Sequence, residues 1–164
     1  MKKLPMAVIV AVLFFSSAVL AVAEKNNAMP PKKVSKADKC PVCGMFVFKY
    51  PDWVGQIIFQ DGQTVFFDGA KDLFKYYFSL KKYNPEKSRK DINAIYVSEY
   101  YDVKYIDGFS AYYVIGSTVY GPMGRELIPL ETEKDAKQFM KDHNGKKIIR
   151  FEDITPKLLK QLDY

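Results

Sequence analysis

The chain has 164 residues with 12 Tyr, 12 Phe, two Cys and one His, and its formal net charge is +6. That length allows one domain with a real core, or two very small ones. Two cysteines and one histidine argue against a four-ligand structural zinc site. Lys81, Lys82, Lys87, Arg89 and Lys90 are interleaved with acids, which argues for a solvated surface and no nucleic-acid patch.

In chain order, Lys2 and Lys3 precede an apolar run from Met6 to Leu20, and Ala21-Val22-Ala23 gives a small-x-small cleavage site. This is the pattern of a secretory signal peptide over residues 1–23, removed near Ala23, on a protein bound for the periplasm. The run is shorter than the ~20 residues of a spanning helix, although its retention as an anchor stays open, and with it any membrane association. No cysteine lies near the cleavage site to carry a lipid. Loss of Lys2 and Lys3 brings the expected net charge to +4. Residues 24–39 are polar, with Pro30, Pro31 and five lysines, and read as a flexible leader.

From Cys40 onward the chain uses one plan twice. Trp53 to Gln60 is β-rich, Asp61-Gly62 signals a turn, and Thr64 to Phe67 completes a hairpin. Asp68 is placed to cap a helix from Gly69 or Ala70 to about Leu80, and Asn93 to Tyr100 reads as a third strand. The second half repeats this order. Ala111 to Ile115 is a strand, and Glu126 to Leu130 is a second one interrupted by Pro129. Thr132 caps a helix from Glu133 to His143, Asn144-Gly145 stops it, and Lys146 to Phe151 is the last strand before a short helix over 156–162. The expected fold is α+β, two similar small strand-strand-helix-strand units packed together. They span 40–105 and 106–164.

The concentrated chemistry is Cys40-Pro41-Val42-Cys43-Gly44-Met45. Gly44 stands where a c-type haem site needs histidine, so haem attachment is excluded. A disulfide between Cys40 and Cys43 is one reading, though so short a loop stabilises a fold only modestly. A thiol-disulfide redox pair is another, and it needs a lowered thiol pKa. The third is a soft-metal site, because thiolate and thioether ligands select copper(I). In an extended segment Cys43 and Met45 point the same way, so two sulfurs converge on one ion. A further sulfur is available at Met123, in Gly121-Pro122-Met123-Gly124, whose plain reading is an incidental exposed residue. Met140 belongs to a helical apolar stripe, and His143 to a helix end. No nucleophile-base set or phosphate loop is present in the sequence, and the chain is not expected to be an enzyme.

Four segments together give a resemblance: Cys40 to Met45, Phe67-Asp-Gly-Ala-Lys-Asp-Leu-Phe74, Asp107-Gly to Tyr113, and Gly121-Pro-Met-Gly-Arg-Glu-Leu127. With them the chain resembles the NosL family, accessory proteins of nitrous oxide reductase maturation in denitrification, from Cys40 to about Ile154. The resemblance implies two strand-strand-helix-strand units. It also implies a periplasmic copper(I) metallochaperone supplying the copper-sulfide centre of nitrous oxide reductase. The ligands it implies are Cys43, Met45 and Met123, with Cys40 either a ligand or a disulfide partner. Family members typically carry a lipidated N-terminal cysteine, from which the Ala-Val-Ala signal end departs.

Overall fold

The computed structural model describes residues 28–163. The expected signal peptide and the first part of the leader lie outside the described residues.

Strands β1 (Gly55–Phe59) and β2 (Thr64–Phe67) form the expected hairpin. Its turn requires glycine, since Gly62 has φ +83°, and Asp61 accepts the Gln63 N–H at 3.1 Å. Helix α1 (Ala70–Phe78) follows, then one more turn, α2 (Leu80–Tyr83). Next come β3 (Ile92–Ser98) and a strand the sequence did not announce, β4 (Tyr105–Asp107). The first sheet has the order β2-β1-β3-β4, all antiparallel.

The second half contains β5 (Tyr112–Ile115), a two-rung hairpin of β6 (Tyr120–Gly121) and β7 (Gly124–Arg125), then β8 (Ile128–Leu130). Helix α3 (Glu133–Asp142), β9 (Lys147–Ile149) and α4 (Pro156–Gln161) complete the chain. Its sheet has the order β8-β5-β9. Each half therefore places its second strand, first strand and third strand side by side, with the helix between the second and third in sequence. The duplicated plan read from the sequence is the fold. Pro129 fits because β8 is an edge strand with no ladder to donate to on its outer side.

Capping chemistry explains the ends of α3. The Thr132 hydroxyl accepts the Asp135 N–H at 3.1 Å. At the other end Asn144 takes the left-handed conformation, φ +54°, and Gly145 N–H donates to the Met140 carbonyl at 2.8 Å. Asparagine therefore occupies the position usually given to glycine. Helix α1 is different. Asp68 does not cap it: the N-cap is Gly69, with no capping side chain of its own.

All five residues of β1 are buried, and the reason lies on both faces of the sheet. Gly55 lets Leu73 of α1 approach so closely that an added Cβ would lie 2.7 Å from its Cδ1. On the opposite face the Gln56 amide behaves like a strand backbone. It accepts the Lys32 N–H at 2.8 Å and donates to the Lys32 carbonyl at 2.8 Å. Tyr96, paired with Gln56 across the ladder, donates its hydroxyl to the Met29 carbonyl at 2.8 Å. The described part of the expected flexible leader is thus held along this sheet.

One large core runs through both halves. Phe74 of α1 meets Tyr113 of β5 edge-on at 5.4 Å between ring centroids, and Phe151 at 5.9 Å. The buried Tyr113 hydroxyl donates to the Gly108 carbonyl at 2.6 Å. Replacing Phe74 with alanine empties the point where the halves meet. We expect Phe74→Ala to cost about 3–5 kcal/mol, seen as a lower denaturant midpoint with both halves unfolding together.

Candidate metal centre

The cysteine loop is a closed turn. An antiparallel bridge joins Lys39 and Phe46 at its base. Within it Cys40 N–H donates to the Met45 carbonyl at 2.9 Å, and Gly44 N–H donates to the Cys40 carbonyl at 2.8 Å. Gly44 has φ +81°, which other residues rarely adopt. The extended geometry expected for Cys43 and Met45 is therefore replaced by a tight reversal. Its effect is to bring Cys40 and Cys43 to one side. Both are free thiols, Cys40 fully buried and Cys43 partly so. Met45 lies on the same loop, partly buried, with its carbonyl closing the turn.

The first turn of α1 meets this loop. Cys43 donates its thiol proton to Asp68, with Sγ 3.2 Å from Oδ1 and 3.3 Å from Oδ2. Cys40 Sγ lies 3.5 Å from Asp72 Oδ2. One atom from each of the four side chains lies within 4.8 Å of all the others. The other Asp72 oxygen, Oδ1, lies 3.5 Å from Lys75 Nζ. Asp68 and Asp72 went unrecognised in the sequence, the first taken as a cap and the second passed over. Asp72 lies in the first turn of α1 and Asp68 just before its N-cap, so no helical spacing links the two carboxylates in the sequence.

The electrostatics keep the thiols protonated. Burial pushes Cys43 up to about 11, and the Asp68 carboxylate adds to the effect, against partial relief from the Met45 backbone. Burial raises Cys40 further still, again with Asp68 opposing the thiolate. A thiol-disulfide exchange protein needs the opposite, an exposed thiol of lowered pKa, so the geometry disfavours the redox reading.

The second half reaches the same helical turn. Glu126 is buried, and its Oε1 accepts the Lys71 N–H at 2.5 Å and the Leu127 N–H at 2.9 Å. It is thus the side chain that caps α1, supplied from 55 residues away. Its second oxygen occupies the space a Cβ on Gly69 would need. Burial holds its carboxyl up at about 8, although the two N–H donors and Lys71 pull the other way. The sequence signal for this was an acid directly preceding the apolar run Leu127-Ile128-Pro129-Leu130. Met123 sits at the tip of the β6–β7 hairpin, 42% exposed, and its carbonyl accepts from Lys71 Nζ at 2.7 Å. His143 is at the end of α3, its ring against Phe139 at 4.4 Å, as its sequence position suggested.

With this geometry in view, the family assignment follows from direct comparison. The NosL family profile matches residues 31–159. The chain belongs to the NosL family. It is 31% identical over 146 residues to the copper-binding lipoprotein NosL of Stutzerimonas stutzeri, covering 84% of this chain and 73% of that one. The crystal structure of the copper chaperone NosL from Shewanella denitrificans has the same fold, with a TM-score of 0.65 at 24% identity. That match covers 78% of this chain and 97% of the other.

Asp68 gives a direct test of the electrostatics. Asp68→Asn removes a negative charge beside Cys43, favours the thiolate, and moves its titration down from about 11 toward an ordinary thiol value. Iodoacetamide labelling of Cys43, followed by peptide mass spectrometry across a pH series, should show faster reaction in the variant at each pH. Cys40 should stay unlabelled in both proteins until they are denatured.

Proposed function

We propose that this protein binds copper(I) at the Cys40–Cys43 loop and passes it to a periplasmic copper enzyme, with the copper-sulfide centre of nitrous oxide reductase as the recipient. The observation that carries this reading is the convergence of two free thiols at the start of α1. NosL membership and the copper-binding and copper-chaperone names of the relatives support it. Soft sulfur ligands favour the monovalent ion over harder divalent competitors. The ligand set is Cys43, Met45 and Met123, with Cys40 as the fourth candidate.

Capture requires a proton to leave each thiol that becomes a thiolate ligand. Asp68 already accepts the Cys43 proton's hydrogen bond and is the group placed to receive it. Cys43 is partly buried and Met123 exposed, so a ligand set that includes both keeps one side open to solvent. A recipient's ligand enters from that side before the donor set lets go, so exchange proceeds without a free ion.

The reading is tested by anaerobic copper(I) titration of the reduced protein against a competing chelator. We expect one tightly bound ion, with weaker binding in Cys43→Ser and in Met123→Ala. No binding in the parent sinks the proposal, and loss in Cys43→Ser alone removes Met123 from the site. Affinity should also climb with pH from about 6 to about 8, because the ion competes with protons on thiols that titrate well above this window. A pH-independent affinity would mean that no thiol proton is displaced.

A further inference from the structure

We infer that Lys71 is a positioning residue that pins the Met123 hairpin to the first turn of α1 and so couples the thioether of the second half to the thiols of the first. The inference rests on the copper(I) reading. Lys71 is 1% exposed, an expensive place for an ammonium group unless its donors are all used. They are used on three acceptors: the Met123 carbonyl at 2.7 Å, the Leu162 carbonyl at 3.4 Å, and Asp163 Oδ1 at 3.3 Å.

The hairpin needs such an anchor. It consists of two pairs, Tyr120 with Arg125 and Gly121 with Gly124, far too little ladder to fix a turn in water. Residue 71 grips this segment at its tip and just past its second strand. Its side-chain amine takes the carbonyl of Met123, and its backbone N–H takes the carboxylate of Glu126. Lys71 also lies between Asp68 and Asp72, the partners of Cys43 and Cys40. One helical turn thereby holds both sulfur-bearing motifs. Because the grip is on the backbone of Met123, it survives when the Met123 side chain is removed, which makes a two-residue cycle interpretable.

The experiment is the anaerobic copper(I) competition titration on the parent, Lys71→Leu, Met123→Ala and the double variant, with ¹³C-methyl methionine spectra of each. Lys71→Leu keeps an apolar stem and adds no sulfur, and Asp163 retains Lys75 at 2.6 Å. We expect Lys71→Leu to weaken binding about 10- to 100-fold, as loss of a group that orients a ligand does. The double variant should bind no more weakly than Met123→Ala alone. The copper-induced shift of the Met123 methyl should be lost in Lys71→Leu while that of Met45 persists, an outcome that general destabilisation would not give.

Parent-like affinity with an intact Met123 shift in folded Lys71→Leu overturns the inference but leaves the copper reading standing. So do fully additive losses in the double variant. No copper binding in the parent overturns both. Should Lys71→Leu fail to fold, Lys71→Ala removes the same donor. A diminished Met123 shift there supports the inference, and an undiminished one overturns it.

Discussion

The structure depends on the first turn of helix α1 and on the buried polar groups gathered there. Asp68, Lys71, Asp72 and Glu126 are all nearly inaccessible to water, and each has a polar partner. A helix start leaves several N–H groups unsatisfied, and burying them is affordable only with acceptors in place. Here the acceptor is Glu126, from the other half of the chain. The same turn offers its two aspartates outward to the cysteine loop. The contacts that join the two halves and those that line the thiol site therefore share one stretch of chain, and Phe74 beside Tyr113 and Phe151 gives it an apolar backing.

The fold was largely legible because its signals are local. Asp61-Gly62 forces a turn, Thr132 caps a helix, and Asn144-Gly145 ends one, each through contacts within a few residues. Period and punctuation could find β1, β2, β3, β5 and α3 within a residue or two. Strand β4 escaped because three residues carry no readable alternation, and it exists only through pairing with β3. Met29 and Lys32 of the leader are held for a related cause, by the Tyr96 hydroxyl and the Gln56 amide, neither of which marks them in their own sequence.

The site divides the same way. The thiols could be found from Cys-x-x-Cys spacing, because that motif is contiguous. The carboxylates could not be assigned, since Asp68 before a helix fits a cap by every local rule. Only the arrival of Glu126 frees Asp68 for Cys43. Met123 could be selected for its glycine-flanked turn. Its backbone carbonyl is held by Lys71, a buried lysine in the first turn of α1, and no signal local to residues 121–124 announces that contact.

The protonated state of the two thiols bears on how the empty protein survives. A thiol pair in oxidising surroundings ordinarily closes into a disulfide, and oxidants attack the thiolate, not the thiol. Cys40 has no access to solvent, and Cys43 shares its proton with a carboxylate that also repels further negative charge. The arrangement thus works as a chemical safety catch. Its sulfur is kept dull toward peroxide and stray disulfides for as long as the proton stays in place.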